Sequence, residues 1–278
     1  MTNAQKEKQN PKVRIMTMKV YPFFTIIFFL TSLYLTGEPK KEPSAKSYLL
    51  QNIRTGDIVK QKEVTLILPI ASITKLVTAL ISISELKQTE FYKVHKSTVL
   101  RNEGDKSAIL KEGEFYSLKD LLLTMLVSST NVSAISIATD VSGNTENFII
   151  KMNDWAKENN LKDTNFGDTF GLSPNSKSSA SDIAKILDIV ERNSSLYEIL
   201  STTNYSIKEK NGKIQNLSTT NEMPFYKDFR IFGKTGTTKL AGKCFAGFIV
   251  KGKERWKIII LGSENVFGDI KILIDSIK

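Results

Sequence analysis

A hydroxyl and an amine stand three residues apart in Pro69-Ile-Ala-Ser-Ile-Thr-Lys75, at the head of an apolar run that continues to Leu80. Ile73, Leu76, Val77 and Leu80 recur at i, i+3, i+4 and i+7, which predicts a helix entered just before Ser72. Positions i and i+3 share one helix face, so the Ser72 hydroxyl and the Lys75 amine come within reach of each other. Burial among apolar neighbours and the positive helix end both favour a neutral lysine, and a neutral lysine beside a serine is a base beside a nucleophile. The same helix start offers a backbone N–H to a developing oxyanion. Ser84-Glu-Leu-Lys87 repeats the pattern at a solvated helix end, so Ser72 needs companions to carry chemistry.

Two further polar clusters supply them. Ser129-Thr-Asn131 separates an apolar helical run at 121–127 from a small-residue helical run at 132–141. Polar side chains between buried helices must be paired or must serve a site. Ser-x-Asn recurs at Ser142-Gly-Asn144 and Ser173-Pro-Asn175, but at a helix boundary and in a loop. Lys234-Thr-Gly236 closes a strand pattern over 229–235; Gly236 permits close backbone approach and Lys234 supplies a point charge for a carboxylate.

Other chemistries lack residues. One cysteine, Cys244, and one histidine, His95, exclude a disulfide framework and a zinc site. A Ser-His-Asp triad would need His95, which sits in a short, half-exposed strand pattern and reads as a surface histidine. No cofactor motif is present. The net charge of +10 is dispersed, without a basic stripe interleaved with aromatics, so it reads as a lysine-rich surface rather than a nucleic-acid interface.

The elements that must position these groups follow in chain order. Residues 1–19 are polar and basic, and 20–36 contain an almost wholly apolar run expected to act as a signal anchor, or as a signal peptide if cleaved. Positive charge ahead of it places the N-terminus in the cytoplasm and the rest outside, on the periplasmic or cell-wall side; cleavage would make the protein secreted. A charged, proline-containing linker occupies 37–46, and a single catalytic domain 47–278. Arg54-Thr-Gly56 turns a hairpin, residues 95–103 read as extended, and Ser117 and Ser179 open helices through capping boxes with Asp120 and Asp182. Thr145 caps a helix over 146–159, Asn211-Gly212 turns a second hairpin, and strands at 229–235, 243–250 and 255–261 precede a helix over 267–277. Two strands, a long helical middle, three strands and a helix make an α+β fold, with the sheet assembled from both chain ends.

In order, Ser-x-x-Lys, Ser-x-Asn and Lys-Thr-Gly are the three motifs of penicillin-binding proteins and class A β-lactamases. From about Ser47 to Lys278 the chain resembles the D-alanyl-D-alanine carboxypeptidases, the low-molecular-weight penicillin-binding proteins of serine peptidase family S11. The resemblance rests on Arg54-Thr-Gly-Asp-Ile-Val59, the Ser72 segment, Leu110-Lys-Glu-Gly-Glu-Phe-Tyr-Ser-Leu-Lys-Asp-Leu-Leu122 and Met125-Leu-Val-Ser-Ser-Thr-Asn131. It continues through Thr164-Asn-Phe166, Gly171-Leu172, Ser179-Ala-Ser-Asp182 and Gly233-Lys-Thr-Gly236.

The resemblance implies a five-stranded antiparallel sheet packed with a mainly helical region, and a groove between the Ser72 helix and the Lys234 strand. It assigns Ser72 as the acylated nucleophile, Lys75 as its base and Ser129 as a proton relay to the leaving nitrogen. Asn131 would hold the substrate amide, Lys234 and Thr235 the terminal carboxylate, and the N–H groups of Ser72 and Thr237, beside Gly236, the oxyanion. The expected reaction is D-Ala-D-Ala carboxypeptidase action on peptidoglycan stem peptides in wall biosynthesis and cell shape, inhibited covalently by β-lactams, without metal or cofactor. The alternatives are a DD-endopeptidase of cross-links, then a class A-like β-lactamase using Glu158, then an inactive wall-binding protein on the same fold. Where the family usually has Gly and then Asp-Ala-Ala, this chain has Thr130 and Val132-Ser-Ala134, which bears on substrate preference rather than on the chemistry.

Overall fold

The computed structural model describes residues 41–95, 109–208 and 214–277. The apolar run at 20–35, most of the stretch expected to be extended over 95–103, and the Asn211-Gly212 turn lie outside the described residues. No described helix is long and apolar enough to cross a membrane. Glu42–Lys278 form one compact unit.

Strands β1 (Ser47–Asn52) and β2 (Ile58–Lys62) form the hairpin that Arg54-Thr-Gly56 predicts, with Gly56 at a φ of 77°. The two-residue β3 (Leu68–Pro69) leads into a 3-10 turn, Ala71–Thr74, and then α1 (Lys75–Glu85). The Ser72 helix therefore begins tighter than expected: Ser72 lies in the 3-10 turn and Lys75 is the first α-helical residue. β4 (Phe91–Lys93) pairs with β5 (Phe115–Ser117) as a short ribbon ahead of α2 (Leu118–Leu126). Ser117 caps α2 by accepting the Asp120 N–H, as its capping box predicts. α3 (Asn131–Ser142) ends at Gly143, φ 79°, and α4 (Thr145–Glu158) is capped by Asn144, one residue before the expected Thr145. The amide oxygen of Asn144 reaches the Asn147 N–H, a bond that a cap at Thr145 would have shifted by one residue.

A loop connects α4 to β6 (Lys177–Ser178), which pairs with β3, and Ser179 then caps α5 (Ala180–Arg192). The seven-residue α6 (Ser194–Leu200), absent from the sequence reading, follows. The ribbon β7 (Asn204–Lys208) and β8 (Ile214–Ser218) precedes β9 (Phe225–Tyr226), β10 (Phe229–Thr238), β11 (Gly242–Lys251), β12 (Glu254–Ser263) and α7 (Val266–Ile274). The main sheet runs β2-β1-β12-β11-β10-β9, all antiparallel. It has one strand more than the five expected, because two-residue β9 folds back on the start of β10 and is too short to leave a periodic signal.

Both sheet faces are covered, and the strand sequences show why. Leu49, Phe232, Phe248 and Ile259 point into the helical core, whereas their neighbours Tyr48, Leu50, Ile231, Ile249, Ile258 and Ile260 pack with Ile270 and Leu273 of α7. Strand neighbours point to opposite faces, so a strand covered on both reads as a continuous apolar run such as Ile258-Ile-Ile-Leu261. Each fully buried side chain of this size contributes about 1.5–3 kcal/mol. The segment just before β1, read from the sequence as linker, is fastened to this unit. Ser44 N donates to Asp269 Oδ1 at 2.7 Å, Ser44 Oγ to Asp269 Oδ2 at 2.9 Å, and Tyr48 OH donates to Glu42 at 3.1 Å.

Candidate active site

Three elements converge on Ser72. Its own 3-10 turn begins with Ala71, held at a φ of 47°, a left-handed conformation costly for a side chain with a Cβ. Two glycines close on that turn. A Cβ on Gly171, φ 95°, would overlap the Ala71 carbonyl, and one on Gly236 would stand 2.9 Å from the Ser72 nitrogen. Strand β10 and the loop after α4 thus approach the backbone of Ala71 and Ser72 as closely as glycine permits.

Lys75 is completely buried. Its Nζ lies 2.9 Å from Ser72 Oγ, 2.7 Å from Asn131 Oδ1 and 3.2 Å from the Phe170 carbonyl oxygen. Asn131 Oδ1 and the Phe170 carbonyl can only accept, so each claims an N–H of the lysine. The third direction faces a hydroxyl, which can give a proton to a neutral amine. With its oxygen on Lys75, Asn131 keeps its NH2 for another acceptor.

On the other side, Lys234 is also fully buried and donates to Ser129 Oγ at 2.9 Å and to the Thr235 carbonyl at 2.8 Å. Burial, and then the nearby charge of Lys75, hold its pKa well below the ordinary lysine value. Ser129 adopts a φ of 65° in the turn between α2 and α3. Its neighbours hold that turn. Thr130 N donates to the Thr124 carbonyl at 3.0 Å, and Ser128 Oγ donates to the Ser218 carbonyl at 3.1 Å while accepting from Tyr205 OH at 3.0 Å. Burial raises the Tyr205 phenol to about 12, so it remains a donor.

A groove of about 750 Å3 joins the two sides, lined by Ser72, Ser129, Asn131, Thr235, Gly236 and Thr237 among others. Six of the eight expected residues thus line the groove, and the other two lie beneath it: Lys75 bonds to Ser72 and Asn131, and Lys234 to Ser129 and Thr235. Glu158, the residue a β-lactamase reading would use, ends α4 exposed and does not line the groove. His95 lies apart, half-buried, with Nε2 2.8 Å from Asp140 Oδ1. Among the described residues no cluster of His, Cys, Asp or Glu could hold a metal.

Three contributors escaped the sequence reading. Thr220 Oγ1 lies 2.6 Å from Thr235 Oγ1 and lines the groove, placed there by the connection from β8 to β9, which has no periodic signature. Phe170 contributes only its carbonyl, which no side-chain pattern reveals. Asp168 fastens the same loop: its carboxylate accepts from Gly171 N and Ser173 N at 2.6 Å, Leu172 N at 2.7 Å, Ser176 Oγ at 2.9 Å and Phe170 N at 3.3 Å. Its signal was available as an Asp followed by Gly and Ser-Pro, the composition of an Asx turn.

The profile of the family described as D-alanyl-D-alanine carboxypeptidase, Peptidase S11, matches residues 35–265. The chain belongs to family S11. The D-alanyl-D-alanine endopeptidase of Escherichia coli K12 is 32% identical over 213 residues, covering 75% of this chain and 68% of that protein. The D-alanyl-D-alanine carboxypeptidase DacF of Bacillus subtilis 168 is 30% identical over 227 residues, covering 80% of this chain and 58% of that one. Among solved structures, a variant of the Streptomyces K15 DD-transpeptidase aligns with a TM-score of 0.77 at 22% identity, over 85% of this chain and 98% of that one. The ampicillin-bound penicillin-binding protein D2 of Listeria monocytogenes aligns at 0.73 and 23% identity, over 86% and 99%. These likenesses establish the α+β penicillin-binding fold of this S11 serine peptidase.

Proposed function

We propose that this S11 protein is a serine D-Ala-D-Ala carboxypeptidase of peptidoglycan stem peptides. The observation that carries the reading is the pair of buried lysines, Lys75 on Ser72 and Lys234 on Ser129, facing one groove. Ser72 Oγ attacks the carbonyl of the penultimate D-alanine as Lys75 takes its proton. The N–H groups of Ser72 and Thr237 stabilise the oxyanion, and the Asn131 NH2 holds the substrate amide. Lys234, Thr235 and Thr220 receive the terminal carboxylate, and Ser129 passes a proton to the departing nitrogen. Water then releases the acyl group by the same route in reverse. β-Lactams would acylate Ser72, in keeping with the ampicillin complex of the Listeria protein.

A second reading, DD-endopeptidase, is favoured by the names of the E. coli relative and of a Pseudomonas aeruginosa relative 31% identical over 217 residues. A cross-linked residue also bears a carboxylate beside the scissile nitrogen. A pentapeptide stem and a purified cross-linked dimer, offered to the same preparation, separate the two. D-Alanine released from the first with the dimer intact supports the carboxypeptidase; dimer cleavage without D-alanine release refutes it.

The apolar run at 20–35 supports a further proposal, that the catalytic unit is held at the outer face of the cell membrane by an uncleaved N-terminal segment. A mature protein starting near Met1 and retained in membranes after a high-salt wash is the expected result. A soluble extracytoplasmic protein starting between 36 and 47 would show a cleaved signal.

A further inference from the structure

The groove is longer than a D-Ala-D-Ala end requires, and its two ends differ in charge. Two extended residues reach at most about 7 Å. From Lys234 to Thr238, β10 alone advances by roughly 13 Å at about 3.3 Å per residue. Gly236 abuts the nucleophile's backbone in the middle of this span. The hydroxyl pair Thr220 and Thr235, with Lys234, marks one end as the seat of the leaving group's carboxylate. The acyl side must therefore extend the other way, along Thr237 and Thr238. There the wall continues through Lys239, Lys243, Cys244, Val266 and Phe267.

That far wall is cationic. Lys239, in the turn after β10, and Lys243, at the start of β11, are exposed, and neither is in an ion pair among the described residues. The one carboxylate among the described lining residues, Glu222, is two residues from Thr220 and so belongs to the leaving-group end. Val266 and Phe267 supply an apolar floor beside the lysines, the combination that suits an aliphatic chain ending in an anion.

We infer that Lys239 and Lys243 form a subsite for the stem residue preceding the scissile D-Ala-D-Ala pair, and that this subsite selects a side chain bearing a free carboxylate. A diamino dicarboxylic acid at that position fits; its side-chain amide, or lysine, lacks the charge. The inference rests on the acyl-transfer reading of the groove, which fixes which end is the acyl side. Exposed charge pairs are individually weak, so the effect is selectivity rather than anchorage.

The test uses the full-length protein with Ser72→Ala, which binds without turnover. Two stem pentapeptides are compared, identical except for a free or amidated side-chain carboxylate on the third residue. The free acid should bind about three- to tenfold more tightly at low salt, and the difference should close in about 1 M salt, where screening acts within about 3 Å. Adding Lys239→Ala and Lys243→Ala should remove the difference while wild-type Ser72, in a protein carrying only those two changes, still acylates with a β-lactam. Equal affinities, a difference that survives both lysine substitutions, or binding of neither peptide overturns the subsite. Hydrolysis by the wild-type protein is measured separately: its absence, with the binding difference intact, sinks the carboxypeptidase reading alone.

Discussion

Thr130 and Ser133 hydrogen bond to each other through their hydroxyls at 2.5 Å, and both are fully buried. They occupy two of the positions at which this chain departs from the usual S11 pattern around Ser129 and Asn131. A glycine and an alanine there would leave neither group to satisfy, so the second hydroxyl answers the first. Thr124 Oγ1, 2.7 Å from Ser133 Oγ, completes the chain of three.

That pairing sets a first prediction. Ser133→Ala strands the buried Thr130 hydroxyl and should cost about 1–3 kcal/mol, whereas Thr130→Ala leaves Ser133 paired with Thr124 and should cost less. The double variant should cost less than the sum of the two, a coupling of about 0.5 kcal/mol or more in a denaturant-unfolding cycle. Additive losses would show that the two hydroxyls are independent.

A second prediction concerns the nucleophile. A β-lactam should leave an adduct on Ser72 visible by intact mass, absent in Ser72→Ala. Lys75→Ala should slow its formation by about two to four orders of magnitude. Adduct on another serine refutes the assignment.

Lys234 gives a third. Its pKa is depressed in the fold by burial and by Lys75, so between that pKa and the ordinary lysine value the unfolded chain binds more protons than the folded one. Stability should therefore rise with pH across this window, and the part due to Lys234 is lost as pH falls through its folded pKa. Lys234→Met should flatten the rise. A carboxylate arriving beside Lys234 favours the charged amine, so ligand binding should take up protons at pH between its folded pKa and the ordinary lysine value, read by calorimetry in buffers of different ionisation enthalpy. Proton release would contradict the carboxylate assignment.

The Asp168 loop gives a fourth. Asp168→Ala removes the acceptor for the Gly171, Leu172 and Ser173 N–H groups and loosens the Phe170 carbonyl from Lys75. Displacements of about 1 Å at such a centre cost up to about a hundredfold, so acylation should slow by about ten- to a hundredfold, with Asp168→Asn intermediate. Unaltered acylation with a lowered Tm would reduce Asp168 to a purely structural role.

The site was legible where chemistry demands particular side chains at fixed short spacing, as at Ser72 and Lys75, or where a polar cluster interrupts an apolar run, as at Ser129 and Asn131. The strands β10, β11 and β12 were legible because burial on both faces writes an apolar run between turn residues. What stayed hidden lacks such a code. A backbone carbonyl leaves no side-chain trace, as at Phe170. Thr220 is brought in by an irregular connection, and β9 has two residues. The 3-10 turn carrying Ser72 was read as α-helix because its four residues are too few to distinguish periods of 3.0 and 3.6.

Strand β1 pairs along its length with β12, Asn52 opposite Trp256, and Gly236 of β10 closes over Ser72. On a ribosome the first strand thus waits for a partner about 200 residues downstream, roughly 10–40 s at 5–20 residues per second. During that interval Ser72 and Lys75 exist but Lys234, Gly236 and Thr237 do not yet flank them. The groove around Ser72 is therefore incomplete until β10 has been made, a delay imposed by the order of synthesis alone.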